Sequence, residues 1–445
     1  MNTASLRCLR SSCAGTGTAD FTCSVCGGIV DVVYNWSKSP RMPGWDAWRE
    51  RRADVTSAMN RSGVWRFREL LPFASSEQIV TIGEGNTPLL QSPIVAKYAG
   101  IADDRFWLQH EGMNPSGSFK DNGMAAAFTH ARLSGATQAA CASTGNTSAS
   151  LALFAAATQL LRAVVFVGTG KLTQSKLAQA LDHRALTLQI AGNFDDALAR
   201  VREVSSQAQL YVVNSINPFR LEGQKTVMYR ILESLSGMVP DWIVTPGGNL
   251  GNAGAFGKAF EEMHALGLIN KKPRLAIIVA EGANTLATLV NDRGLVWNDG
   301  AWDHSIVNDY YGELDRTHAK PQTVASAIAI HRPANLPKAL RSLATMNGVV
   351  RAVSDEAILD AKAVVAQGSF GCEPASAASV AGARLLRQQG VIGRDDSVVC
   401  LLTAHGLKDP DATVGYHMGP QPGKYAQQPV PVANEAGAIL AALRR

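Results

Sequence analysis

Between residues 137 and 213 short apolar runs alternate with helix-periodic runs. Residues 137–142 read as a strand, 146–158 as a helix, 162–168 as a strand and 175–182 as a helix, and 186–191, 194–207 and 210–213 continue the series. Apolar strands joined through helices cannot close as hairpins, so the spacing predicts a mostly parallel sheet with helices on its faces. A second series has a strand around Ile243, a helix from about Ala253 and a strand over 274–280, and it ends with a strand over 397–402. At 445 residues the chain exceeds the usual size of one core. The expectation is an α/β chain of two doubly wound parallel-sheet domains with a cleft between them.

Chemistry concentrates in residues 110–127, HEGMNPSGSFKDNGMAAA, where glycines, a proline and two serines surround Lys120 ahead of an alanine-rich helix pattern. Most lysines are solvated surface charges. One fixed at the mouth of a helix is suited instead to covalent chemistry with a carbonyl, which makes Lys120 a candidate Schiff-base lysine. Residues 247–252, GGNLGN, lie between a strand pattern and a helix pattern. Strand, glycine turn and helix N-terminus together form a nest of N–H groups for a phosphate. The glycines do not fall at i, i+2 and i+5, so a dinucleotide reading is weak, and a lysine with a separate phosphate cup suggests pyridoxal phosphate. Residues 166–171, FVGTGK, imitate a nucleotide loop, but one residue separates the glycines where four are needed. Lys171 and Lys176 remain available to an anion.

Six stretches, GEGNTPLL (83–90), NPSGSFKD (114–121), ASTGNTS (142–148), NSINPFR (214–220), GGNLGN and TAHGLK (403–408), occur in the order found in threonine synthases. The chain resembles that family of pyridoxal-phosphate enzymes, which has the tryptophan-synthase-like β-family fold, over roughly residues 80–410. The resemblance implies a large cofactor-binding domain formed by 81–123 and 215–410, a small domain over 124–214, and a homodimer. It implies that Lys120 bonds the cofactor aldehyde, that the 247–252 turn (Gly247, Gly248, Asn249, Leu250, Gly251, Asn252) holds its phosphate, that Asn146 meets the ring hydroxyl and that Thr403 meets the ring nitrogen. A hydroxyl at that nitrogen makes a weaker electron sink than a carboxylate would.

The substrate implied is O-phospho-L-homoserine, converted with water to L-threonine and phosphate. Ser143 and Thr144 match the positions that hold its carboxylate, and Lys176, Asn214, Ser215 and Arg220 those that hold its phosphate. Asn122 departs from the arginine that many bacterial members carry. Several stretches are closer to the plant-like branch, whose members respond to S-adenosylmethionine, although that branch's long N-terminal extension is missing. Rival readings are a threonine or serine dehydratase, an O-phosphoserine enzyme of the cysteate synthase kind, and a zinc-ribbon binding protein that has lost catalysis. A dehydratase has no phosphate to hold, which sets it against Lys176 and Arg220.

Outside the resemblance, Cys8, Cys13, Cys23 and Cys26 lie within nineteen positions and close on a CSVCGG knuckle. This is the spacing of a small zinc ribbon over residues 1–34, with Cys-x-x-Cys its strong half. Cys141, Cys372 and Cys400 lie in apolar or glycine-rich surroundings and read as inert buried thiols. Residues 35–80 carry Trp36, Trp45, Trp48 and Trp65 and read as a connector packed on the body. The chain from 411 to 445 reads as an extended arm closed by a helix over 434–443. A net charge of +5 is small for this length and argues against a nucleic-acid partner. The most apolar window, 151–167, is interrupted by Thr158, Gln159 and Arg162, so no membrane span is expected. With no apolar leader in MNTASLRC, a cytoplasmic location is expected.

Overall fold

The structure is a computed structural model describing residues 4–38, 41–169, 174–192 and 194–444. An antiparallel ribbon comes first, β1 (Ala4–Cys8) against β2 (Val30–Tyr34). There follow β3 (Leu89–Leu90), β4 (Phe106–His110), β5 (Gln138–Ala142), β6 (Arg162–Gly168), β7 (Leu186–Ile190), β8 (Leu210–Val212), β9 (Trp242–Pro246), β10 (Arg274–Ala280), β11 (Val349–Val353) and β12 (Val398–Leu402). Six strands form one sheet in the order β11-β10-β9-β12-β4-β3, and four form another in the order β7-β6-β5-β8. Every pairing in these two sheets is parallel except β3 with β4.

Topology explains why chemistry collects at one edge. β4, β12 and β9 are neighbours at the centre of the large sheet and run in the same direction. Their C-terminal ends deliver the segment leading to Lys120, Thr403 and the 247–252 turn to a common rim, where parallel α/β sheets bind ligands. β5 ends at Ala142 and feeds Ser143 to Asn146 from the smaller sheet.

Two helices, Lys120–Leu133 and Pro218–Ser234, cross at their glycines. A Cβ on Gly223 would lie 2.0 Å from the Asn122 carbonyl oxygen, and one on Gly123 would lie 2.8 Å from that of Arg220. The absence of side chains at this crossing lets the helix starting at Lys120 approach the helix carrying Arg220.

The ribbon is held to the body by buried charge. Asp31 on β2 accepts from Lys338 Nζ at 2.9 Å and from Arg341 Nη1 at 2.7 Å. Burial pushes its carboxyl up, but Lys338 and Arg341 outweigh that and hold it far below the usual carboxylate range. Tyr34 donates to Glu222 at 2.7 Å, and Lys258 donates to the Val32 carbonyl at 2.5 Å. Trp48 and Trp65 are fully buried, and the Trp65 indole donates to the Val80 carbonyl at 2.9 Å.

The C-terminal segment corrects the sequence reading. Pro410–Met418 is a helix rather than extended chain, with Pro410 in its first turn and the Asp409 carboxylate accepting from the Ala412 amide at 3.4 Å. Tyr416 ties it to Asp360 at 2.6 Å, a tertiary contact that local pattern does not reveal. The last helix is Ala436–Leu443. Among the described residues no helix is long and apolar enough to cross a membrane.

Candidate active site

The loop before Lys120 rests on a buried carboxylate. Glu111, at the end of β4, accepts from Arg230 Nη2 at 2.5 Å, Asn122 Nδ2 at 2.6 Å, Thr87 Oγ1 at 2.7 Å, and Gln109 Nε2 and Asn114 Nδ2 at 2.9 Å each. Burial raises its pKa, but Arg230 and these donors outweigh that and keep it below the ordinary range. Asn122, the departure noted in the sequence, therefore belongs to the scaffold under the loop. The Asp121 carboxylate accepts from the Ser116 amide at 2.7 Å and from Ser150 Oγ at 2.6 Å. The Phe119 amide donates to the Thr403 carbonyl, and the His405 amide to that of Gly117, both at 2.9 Å. These bonds stitch the loop to the end of β12.

Lys120 begins its helix with its ammonium 4.2 Å from the centre of the Phe119 ring. Burial, and then repulsion from Arg220, lower its pKa to about 7, while Glu373 pulls the other way. An amine poised there exchanges a proton readily near neutral pH.

Arg220 lies in the first turn of its helix, where Asn217 caps by accepting from the amides of Phe219 and Arg220 at 3.0 and 3.3 Å. Its side chain is 1% exposed. Nη1 donates to the Val213 carbonyl at 2.6 Å, whereas Nε and Nη2 have no partner among the described residues. Burial brings the guanidinium pKa down to about 10. A buried cation with two unpaired donors is costly unless an anion completes it.

The residues assigned beside Arg220 divide. Ser215 Oγ accepts from Asn249 Nδ2 at 2.6 Å, which places it against the phosphate cup. Asn214 spends its amide on Ala142, accepting from that residue's N–H and donating to its carbonyl at 3.0 Å each, and so fixes the end of β5. Lys176 lies in the helix Gln174–Asp182 with its side chain outside the described residues, and Lys171 lies outside them entirely.

After β9 the cup is one residue shorter than the sequence suggests. The Gly247 N–H donates to the Ile278 carbonyl at 2.6 Å and extends the strand ladder, so the cup begins at Gly248. A Cβ on Gly248 would lie 3.0 Å from the Ala327 carbonyl oxygen, which leaves room there for backbone only. Leu250 takes a left-handed φ of 62°, and Gly251–Ala265 starts directly behind it. The first N–H groups of that helix have no intrahelical partners and point where the macrodipole favours an anion. Asn249 Oδ1 accepts from the Ala334 amide at 2.6 Å, and Asn252 is buried with its Oδ1 unpaired.

Ser143 Oγ accepts from the Gly145 amide at 3.1 Å, and Thr144 is partly exposed beside it. Asn146 Nδ2 donates to both oxygens of Glu373, at 3.2 and 3.1 Å. Thr403 Oγ1 lies 2.8 Å from Ser376 Oγ. Glu373 and Ser376 were not singled out in the sequence. The signal available was an acid directly before the proline of a helix start, in GCEPAS (371–376). Taken together, a desolvated lysine, an open helix N-terminus, an unpaired buried arginine and a strand-end hydroxyl fit pyridoxal phosphate with an anionic substrate beside it.

The four cysteine sulfurs of the ribbon lie within 4.8 Å of one another, with Cys8 to Cys26 at 3.5 Å and Cys13 to Cys23 at 3.6 Å. Backbone amides of Cys26 and Val25 hold the Cys23 thiol down to about 6, while burial pushes Cys8 up to about 12.

Residues 80–404 match the model of the pyridoxal-phosphate dependent enzyme family. The threonine synthase of Methanocaldococcus jannaschii is 38% identical over 413 residues, covering 92% of this chain and 94% of that one. That of Methanosarcina acetivorans is 42% identical over 396 residues, covering 88% and 89%. Among solved structures, threonine deaminase isoform 2 from Solanum lycopersicum aligns with a TM-score of 0.56 at 17% identity, over 74% of this chain and 87% of that one. Maize serine racemase aligns with a TM-score of 0.56 at 15% identity, over 82% and 94%. Those two similarities show the fold alone. The family match and the near full-length relatives, joined to the site described above, establish that the chain belongs to the pyridoxal-phosphate-dependent enzymes, in their threonine synthase family.

Proposed function

We propose that the chain converts O-phospho-L-homoserine and water to L-threonine and phosphate. The observation that carries this reading is Arg220, a buried guanidinium with two unpaired donors whose charge acts on Lys120. A dianionic leaving group beside the lysine is what that arrangement lacks.

In this reading Lys120 bonds the cofactor aldehyde, the amides from Gly248 to Asn252 hold its phosphate, and Asn146 and Thr403 meet the ring hydroxyl and ring nitrogen. Gly247 contributes backbone geometry rather than a donor. Bound there, the cofactor supplies an electron sink for charge developing at the substrate carbons. Lys120 Nζ moves protons at the α- and β-carbons, for which a pKa of about 7 is suited. Ser143 and Thr144 orient the substrate carboxylate. Arg220 and Ser215, with Lys176, bind the phosphate as it leaves the γ-carbon, and Asn214 holds β5 in place. The large unit is 81–123 with 215–410 and the small one 124–214, and the active species is a cytoplasmic homodimer. A single 47.2 kDa species in sedimentation would remove the dimer from this account. The reaction is tested by incubating the protein with O-phosphohomoserine. Threonine and phosphate should appear in equal amounts, whereas release of ammonia from threonine or serine at a higher rate would favour a dehydratase.

One structural zinc is part of the same proposal. A tetrahedral zinc with bonds of about 2.3 Å sets its sulfurs roughly 3.8 Å apart, close to the two short separations between the cysteines. Four thiols this close cannot all ionise without a cation among them. Metal analysis should give one zinc per chain, and Cys23→Ser with Cys26→Ser should lose it. No metal in protein purified under reducing conditions, with four freely titrating thiols, would contradict this.

A further inference from the structure

The strongest unabsorbed feature of the site is the turn before the helix Pro374–Gln388. Glu373 is 3% exposed, and its amide donates to the Ala404 carbonyl at 3.1 Å, which anchors it one residue from Thr403. Three residues on, Ser376 Oγ meets Thr403 Oγ1 at 2.8 Å and accepts from the Ala404 amide at 2.9 Å. A single turn thus contacts both side chains assigned to the cofactor ring, one from the small sheet and one from the large.

An ionised carboxylate only accepts hydrogen bonds, so it forces Asn146 to turn its NH2 toward Glu373. One N–H is then spent at 3.1 to 3.2 Å, and the second is left to donate elsewhere. A helix-start asparagine without such a partner could present either end of its amide. Among the described residues the charges that act on Lys120 are Arg220, from the helix Pro218–Ser234, which lowers its pKa, and Glu373, from this turn, which raises it. Asp121, on the lysine's own helix, is turned to Ser116 and Ser150.

We propose that Glu373 is a positioning residue for the reaction: its carboxylate orients the Asn146 amide so that an N–H faces the cofactor's ring hydroxyl. This rests on the reading of Lys120 and Asn146 given under the proposed function. Glu373 touches neither substrate nor cofactor in this assignment and acts through Asn146.

The test uses Glu373→Gln, which keeps the size of the side chain while removing its charge, and Asn146→Ala, which removes the ring contact and leaves the charge. Cofactor affinity is read by titrating cofactor-free protein with pyridoxal phosphate. With Glu373→Gln the Kd should rise roughly tenfold, as for one lost hydrogen bond, because a neutral amide no longer fixes which end Asn146 presents. Asn146→Ala should raise it by a similar factor, and the double variant should bind no more weakly than Asn146→Ala alone. An unchanged Kd in Glu373→Gln, or a double variant whose losses multiply, would overturn the proposal. Borohydride mapping of the parent protein separates the underlying reading from this one. If the parent fixes cofactor at another lysine, that reading fails, and if it fixes cofactor at Lys120 while Glu373→Gln changes nothing, only the role of Glu373 fails. Should Glu373→Gln not fold, Glu373→Asp keeps the charge on a shorter arm, and it should lose the Asn146 contact and raise the Kd; a parent-like Kd in Glu373→Asp would count against the proposal.

Discussion

Arg220→Ala should lower the rate of phosphate release from O-phosphohomoserine by roughly 30- to 1000-fold, the equivalent of about 2–4 kcal/mol for a lost charged contact that strengthens as the bond breaks. The basis is the buried guanidinium, whose Nε and Nη2 find no partner among the described residues. Negative charge accumulates on the leaving phosphate as its carbon–oxygen bond lengthens, so turnover should fall together with affinity. Unphosphorylated amino acids, which need Lys120, Ser143 and Thr144, should still perturb the cofactor's absorption in this variant. Arg220→Lys should recover part of the loss, since it restores the charge without the two-pronged geometry. Equal losses with phosphorylated and unphosphorylated ligands would make Arg220 a structural residue.

Lys120→Ala should abolish turnover, by about 10⁴-fold or more, at the upper end of what a positioned acid–base group contributes. The fold should survive. The Lys120 ammonium is destabilised by burial and by Arg220, so its folded pKa of about 7 lies below the ordinary 10.5. A lysine depressed in this way binds its proton more weakly when folded than when unfolded. Its penalty on stability is absent above about pH 10.5, grows as pH falls and is complete below about pH 7. Removing the side chain relieves that penalty, so the melting temperature at pH 7 should hold or rise. Borohydride should fix cofactor to the Lys120 peptide of the parent and leave the variant unlabelled. Residual turnover within tenfold of the parent, or a cooperative unfolding transition lost altogether, would contradict the assignment.

What the sequence made legible follows from the range of the forces involved. The strand–helix series of the smaller sheet was readable because burial on both faces writes continuous apolar runs, and β6 and the helix Asn146–Thr158 have the bounds that their pattern suggested. Lys120 and the cup were legible as candidates because each sits at a helix start, where local residues set the geometry, whereas Arg220 was reached through the family resemblance. Glu373 was not, since its importance comes from Asn146, 227 positions away in the chain. Gly247, placed with the phosphate turn in the sequence, spends its N–H on Ile278 across a strand pairing, and Asn214 is turned to Ala142 in a comparable way. Pro410–Met418 was read as extended because its hold on the body comes from side-chain bonds to a distant helix, Tyr416 to Asp360 and Lys362 to Thr413. In each case the deciding partner is remote in sequence, and pattern has no access to it.

In the proposed reaction the phosphate leaves with its ester oxygen from the γ-carbon and water adds at the β-carbon. Running the reaction in ¹⁸O-labelled water, with mass spectrometry of both products, follows both oxygens. One labelled oxygen should appear in the β-hydroxyl of threonine and none in the released phosphate. Label in the phosphate, with homoserine as the other product, would mean that the phosphorus–oxygen bond is cleaved and that the site around Lys120 and Arg220 does something else.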